Sequence, residues 1–572
     1  MTEALKSSSP QPERPAVDDI DRTVHAQLAR LTMGLSPASM GAAMLDWLGH
    51  LALSPGKQQA LARQALASLA EGAGNETPVH DRRFAAPEWQ RWPFNRLAQN
   101  FLRQERWWQA ATTGVHGVSP HHEQQAAFLA RQWLDMFSPS NFLWTNPEVL
   151  ATTVKSGGAN LLQGAKHQWQ DTLQLLTGKQ ADGAAPFQPG KDVAITPGKV
   201  VFRNHLIELI QYAPQTETVF AEPLLIVPPW IMKFYILDLS PADSLVRYMV
   251  EQGHSVFIIS WRNPGAEDRD LGMDDYLKSG VLAALDAISA IVPERQVQAL
   301  GYCLGGTLLS IAAAYLARSG DKRLNSLTLL TSEMDFTEPG ELSLFIDESQ
   351  LHLLEDLMAD KGYLEGGQMA GAFTMMNARD LLWSRLVNAY LMGKRPAPSD
   401  LGAWNADATR MPYRQHSEYL RGLYRDNDLA QGRYQVDGKP VALPDIRLPI
   451  FSLGTLRDTV APWRSVYKIH LLTRGEITFC LSSGGHNVGV VSPPGPGVAR
   501  SYQLATHSPD ANYIDPDSWV ASAPAFEGSW WPAWAGWLQQ HSSTRVAPPA
   551  MGNEAAGYAP LDDAPGRYVL MP

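Results

Sequence analysis

Cysteine is scarce in this chain, two in 572 residues, and one of the two stands where a nucleophile would. Cys303 is the centre of Leu300-Gly301-Tyr302-Cys303-Leu304-Gly305-Gly306-Thr307. An apolar run, Val297–Tyr302, precedes it, and a helical pattern, Leu304–Arg318, follows and ends at Ser319-Gly320. Strand, nucleophile and helix in that order make a sharp elbow. Flanking glycines are needed there because Cβ atoms beside so tight a turn would clash. A helix opening at the nucleophile turns its positive dipole end toward a thiolate and lets the Leu304 N–H face an oxyanion. Cys480, inside the run Ile477–Leu481, lacks such glycines and reads as a core residue.

A thiol nucleophile needs a base, and the base needs an orienting acid. Asp458 lies in the polar loop Gly454–Trp463, just after the run Ile450–Leu453. His486 lies in Ser482-Ser-Gly-Gly-His486-Asn487, just after Ile477–Leu481. Acid first, histidine second, each after a late strand, is the chain order such an elbow uses. Asp335, after the run Ser326–Leu330, is the alternative acid. His470, in the helical stretch Arg464–Leu472, and His254, in a turn before a strand, read as packing or surface residues. Leu224-Leu-Ile-Val-Pro-Pro-Trp230-Ile-Met-Lys233 follows an early strand, and the Ile231 N–H is the candidate second oxyanion donor. A buried Pro-Pro turn accounts for that segment equally well. A thiolate that attacks a thioester yields another thioester, so the acyl group stays activated. Cysteine here therefore favours acyl transfer over simple hydrolysis.

These loops require a parallel sheet to hold them. Short apolar runs, Leu224–Val227, Ser255–Ser260, Val297–Tyr302, Ser326–Leu330, Ile450–Leu453 and Ile477–Leu481, are separated by helix-length segments. That rhythm predicts a parallel α/β sheet with crossover helices, and the G-x-nucleophile-x-G elbow at Cys303 makes the α/β-hydrolase fold the expected type. Val200–Phe202 and Leu206–Tyr212 are expected as antiparallel strands leading into the sheet. Residues 1–17 are polar and Pro-rich and read as a disordered tail. Residues 18–190 read as a helical N-terminal domain, because apolar residues such as Met40, Met44, Leu45, Leu48 and Leu51 recur at helical spacing. Trp89, Trp92, Trp107, Trp108 and Trp133 in this region are expected to pack between helices, with a surface that docks on something apolar as the alternative. The core then runs over 191–334, is interrupted by a helical cap over 335–444, and resumes over 445–572. Within the cap, Leu351, Leu354, Phe373, Met375 and Met376 could line a dry channel. Gly528-Ser-Trp-Trp-Pro-Ala-Trp-Ala-Gly-Trp537 is expected as a C-terminal helix with its tryptophans inward.

Composition narrows the classes. A chain 45% hydrophobic and 18% charged is neither disordered nor fibrous. A net charge of −11 argues against nucleic-acid binding, and two cysteines exclude a disulfide scaffold and a Cys-rich zinc site. The start has no apolar core of a secretory signal, and no stretch reaches the ~20 apolar residues of a membrane span. A soluble, cytoplasmic protein is expected, with no cofactor, no metal and no transmembrane segment.

The residues resemble one family. Pro223–Leu239, Glu251–Pro264, the box Gly301–Thr307, Phe345-Ile-Asp-Glu348, Trp404–Thr409, Gly485-His486, Ser492-Pro-Pro494, Gly528-Ser-Trp-Trp-Pro532 and Ala564–Val569 are similar to stretches of the polyhydroxyalkanoate synthases, most closely the single-subunit class I enzymes. The resemblance runs from about residue 80 to the end. It implies polymerisation of (R)-3-hydroxyacyl-CoA into a polyester with release of CoA, by a homodimer on the surface of the growing granule. It places the catalytic roles on Cys303, Asp458 and His486: Cys303 carries the chain as a thioester, and His486 activates the thiol. Asp458, with His486, would activate the incoming 3-hydroxyl. Thr459-Val460, Asn487 and Asn377-Ala378-Arg379-Asp380 depart from the family's usual residues. A Cys-dependent acyl-CoA thioesterase or acyltransferase would need the same three residues, whereas a non-catalytic granule-coat protein would need none of them.

Overall fold

The computed structural model describes residues 16–32, 34–71, 81–177, 187–376, 378–395, 397–495 and 499–572. Ten strands of the described residues form one sheet: β1 (Gly198–Arg203), β2 (Ile207–Tyr212), β3 (Leu224–Val227), β4 (Val256–Trp261), β5 (Val297–Tyr302), β6 (Leu324–Leu330), β7 (Ile450–Thr455), β8 (Ile477–Ser482), β9 (Ser501–His507) and β10 (Ala525–Glu527). Their order is β1-β2-β4-β3-β5-β6-β7-β8-β9-β10. The six from β4 to β8 in that order are mutually parallel, and both edges are antiparallel. The central strands are buried along their whole length, which is why they read as unbroken apolar runs. β9 is half-exposed and mixes polar residues into its run, so it gave no comparable signal; β10 is three exposed residues.

Seven α-helices of the described residues precede the sheet: α1 (Ala16–Leu31), α2 (Pro37–Ala52), α3 (Pro55–Glu71), α4 (Phe94–Thr112), α5 (Pro120–Met136), α6 (Pro147–Ser156) and α7 (Ala159–Thr177). Ser36, Ser119 and Asn146 cap three of them, each followed by a proline whose missing N–H costs nothing in a first turn. The expected tail over 1–17 lies outside the described residues up to residue 15, and it needs correction at Ala16 and Val17, which open α1. That helix is held by long-range packing invisible to composition: it buries Ala26 and Ala29, and His25 Nδ1 is 2.8 Å from Asp356.

The N-terminal helices grip the segment inserted between β6 and β7. The Ser36 amide donates to Gln350 Oε1 (2.8 Å), Gln125 to the Leu344 carbonyl (2.9 Å), Arg131 to Glu341 (2.6 Å), and Asn160 to the Leu391 carbonyl (2.7 Å). The insertion itself is built of helices such as Glu348–Lys361, Tyr413–Tyr419 and Leu420–Arg425, and a two-residue strand pair, Tyr363–Leu364 with Met411–Pro412. The expected packing of the N-terminal tryptophans is only partly found. Trp89 is buried edge-on against Phe84 (4.7 Å), but Trp92 and Trp133 are 80% and 61% exposed. The outer face of α5 carries Trp133 stacked on Phe137, with no further layer over it among the described residues.

On the other side of the sheet, the helix Trp531–Gln540 buries Trp531, Trp534 and Trp537, with Trp530 just before it. Burying each indole is worth roughly 2–3 kcal/mol if its N–H finds a partner. Trp530 donates to the Gly489 carbonyl (2.9 Å), Trp531 to the Val490 carbonyl (3.0 Å) and Trp534 to Thr328 Oγ1 (2.9 Å). Two of these bonds pin the segment just after His486.

Candidate active site

All three loops of interest leave the carboxyl ends of parallel strands, where open α/β sheets place their sites. Cys303 follows β5 directly, with φ +52° and ψ −124°, a conformation that costs a non-glycine residue of order 1–3 kcal/mol. The surrounding bonds enforce it. The Cys303 N–H donates to the Leu330 carbonyl (2.9 Å), and its own carbonyl accepts from the Gly306 amide (2.9 Å). A Cβ on Gly301 would run into Gly306, one on Gly305 into the carbonyl oxygen of Val227, and one on Gly306 into Ser332. The helix Leu304–Ser319 starts immediately after.

Asp458 sits three residues beyond the end of β7 with its side chain fully buried. Its Oδ1 accepts from the Val460 and Ala461 amides (2.8 and 2.9 Å), and its Oδ2 accepts from Thr455 Oγ1 (3.2 Å). The same Oδ2 receives the Nδ1 proton of His486 at 2.7 Å. Cys303 is the next charged neighbour of the imidazole. Burial alone would lower the His486 pKa. The Asp458 carboxylate, then Cys303, then the hydrogen bond to Asp458 hold it well above its ordinary value. The ring can therefore keep a proton beside a thiolate. Asn487, one of the departures, accepts a hydrogen bond from the buried Tyr302 hydroxyl at 2.6 Å, which ties the histidine loop to the strand carrying the cysteine.

The rival residues are elsewhere. Asp335 accepts from Thr337 and from Asn427 (3.2 Å) and lies 3.8 Å from Lys468. His470 packs tilted against Tyr467 (4.3 Å) and His254 against Phe220 (4.8 Å); burial lowers the pKa of each to about 4. Cys480 is buried in β8, where burial pushes its thiol up. Leu304 and Ile231, the candidate oxyanion donors, line one cavity of 80 Å³ together with Leu354, Met369, His416 and Leu420. The loop of Ile231 is fixed from the insertion: Thr409 Oγ1 donates to the Trp230 carbonyl (2.7 Å) and the Thr409 amide to the Ile231 carbonyl (3.3 Å). A larger cavity of 1410 Å³ lies between α4, α5 and Pro462–Ser465 and contains none of these side chains.

Of the expected channel residues, Leu351 is buried, Leu354 lines the small cavity and Met375 is half-buried. The side chains of Phe373 and Met376, and all of Asn377, lie outside the described residues. Arg379 reaches out of the insertion to Asp135 (3.0 Å) and Glu105 (3.3 Å). Three groups near the site were not singled out from sequence: Glu333, two residues past β6's neighbour Thr331, and Tyr419 and Tyr424 of the insertion. All three have Cys303 among their electrostatic neighbours. An acidic residue just after a strand is the only local sign, and Asp335 carried the same sign.

The sheet order, the strained elbow and the Asp–His pair define an α/β-hydrolase fold with a cysteine in the nucleophile's place, and a family model for that fold matches residues 223–493. Two further models, described as the N-terminus of poly-beta-hydroxybutyrate polymerase, match residues 80–249 and 15–57. The chain is 45% identical over 501 residues to a poly(3-hydroxyalkanoate) polymerase of Methylorubrum extorquens, covering 87% of this chain and 82% of that one. It is 39% identical over 515 residues to a poly(3-hydroxyalkanoate) polymerase subunit of Cupriavidus necator, covering 88% and 85%. The chain belongs to the poly(3-hydroxyalkanoate) polymerase family.

Proposed function

We propose that this chain polymerises 3-hydroxyacyl groups, delivered as CoA thioesters, into poly(3-hydroxyalkanoate). Family membership supports the reaction class, and the Asp458–His486 hydrogen bond next to the strained Cys303 carries the mechanism. The thiol gives its proton to His486, and the thiolate attacks the thioester carbonyl. The acyl group passes to Cys303, and CoA leaves with a proton. In this reading the Leu304 and Ile231 amides stabilise the oxyanion of that step; both residues line one small cavity. His486 then takes the proton from the 3-hydroxyl of an incoming 3-hydroxyacyl-CoA, whose oxygen attacks the acyl carbon. The ester forms as the thioester to Cys303 breaks and its sulfur takes the proton back. The lengthened chain, now a CoA thioester, returns to Cys303 with release of CoA. The exposed Trp92, Trp133, Phe137, Trp144 and Trp169 of the N-terminal region support a seat on the apolar polyester granule, and we include the homodimer in the same proposal. Among the described residues, no helix is long and apolar enough to cross a membrane.

Incubation with 3-hydroxybutyryl-CoA, following free thiol, turbidity and free acid together, tests the reading. Insoluble polyester with little 3-hydroxybutyrate is expected. Free acid accounting for most of the released CoA would make the protein a thioesterase.

A further inference from the structure

Glu333 lies buried in the loop after β6, against the nucleophile elbow, with one carboxylate oxygen unpartnered. It is 5% exposed, and its Oε1 has no hydrogen-bond partner among the described residues. Its backbone is fixed to the nucleophile elbow: its carbonyl accepts from Thr307 Oγ1 (2.8 Å), Thr331 before it has φ +45°, and Ser332 closes against Gly306. The stem of the side chain is therefore anchored to the elbow. The groups that face it are Asp458 and Lys468 from the loop and helices after β7, Cys303 from the elbow and His486 from the loop after β8. From the insertion, Tyr419 and Tyr424, packed edge to face with ring centroids 5.3 Å apart, are also among its electrostatic neighbours. Burial first, then the charges of Asp458 and Cys303, push its carboxyl well above the usual carboxylate range. A neutral acid has one O–H to donate and a carbonyl oxygen to accept. Left unpaired in a dry site, such a group costs the fold stability, and a bound hydroxyl would relieve that cost.

We propose that the Glu333 carboxyl binds the 3-hydroxyl of the acyl group carried by Cys303 and so selects 3-hydroxyacyl over plain acyl thioesters. This rests on Cys303 accepting the acyl group, as argued above. The 3-oxygen is the next polar atom along the acyl chain from the thioester, and the cavity beside Leu304 offers that chain mostly apolar walls.

The test compares first-turnover CoA release from 3-hydroxybutyryl-CoA and from butyryl-CoA in the full-length protein. In Glu333→Leu the preference for the hydroxylated substrate should fall about tenfold, the worth of one hydrogen bond. Glu333→Gln, which keeps a donor and an acceptor, should restore part of it. Thermal unfolding of Glu333→Leu should rise, because an unpaired buried acid is gone. Glu333→Ala repeats the comparison with atoms only removed. An unchanged preference, or equal loss on both substrates, would overturn the positioning role. No CoA release by the wild-type protein from either substrate would overturn the parent reading as well, so the two failures are distinguishable.

Discussion

Replacing Asp458 by Asn keeps the shape of the side chain and reverses one hydrogen bond. The Val460 and Ala461 amides both point at Oδ1, so the asparagine must put its carbonyl oxygen there. Its NH₂ then faces His486 Nδ1, where the wild-type carboxylate accepts a proton at 2.7 Å. An NH₂ can only donate, so Nδ1 must become the acceptor and the ring proton moves to Nε2. That nitrogen then presents a proton to Cys303 and cannot take one from it. The charge that most raises the His486 pKa is lost in the same change. Loss of general-base action typically costs ~10²–10⁴ in rate, and the wrong tautomer in a triad lies at the upper end. CoA release in the first turnover, measured by rapid quench, should fall by that factor. The fold should be unaffected, since the amide satisfies the same two backbone donors. A variant within about threefold of wild type in first-turnover CoA release would refute the reasoning.

Cys303→Ala should abolish CoA release, while Cys480→Ala, buried in β8, should leave a measurable rate; the free-thiol assay reads both. Gly305→Ala pushes a methyl into the Val227 carbonyl and should cost roughly 1–3 kcal/mol of stability, seen as a lower urea midpoint, together with loss of activity. His486 has a folded pKa raised above its ordinary value of 6.5, so its favourable interactions are fully present below pH 6.5 and fade as pH rises through the raised value. The difference in Tm between wild type and His486→Gln should therefore be largest in acid and shrink in alkali; a difference that grows with pH would contradict the assigned charge state.

What could be read from the chain depended on whether the cause was local. The glycines around Cys303 are a local steric demand, and the buried parallel strands are unbroken apolar runs, so both show in sequence. The strand Ser501–His507, next to the edge of the sheet, is half-exposed and carries no such run. Helix α1 begins inside a stretch that composition assigns to a tail, because its packing partner lies more than 300 residues away. The exposure of Trp92 and Trp133 likewise depends on what neighbouring helices leave uncovered. Glu333 shows the same limit most clearly. Its side chain looks like a surface residue after a strand, and only the convergence of the β6, β7 and β8 loops with the insertion buries it beside Cys303.

The central claim is that one thiol carries the growing chain. Rapid quench of the wild-type protein with 3-hydroxybutyryl-CoA, followed by peptide mapping by mass spectrometry, reads it directly. The peptide containing Cys303 should carry a ladder of one, two and more 3-hydroxybutyryl units, attached by a bond that hydroxylamine cleaves. Acyl units on any other residue, or an unmodified Cys303 while polyester accumulates, would contradict it.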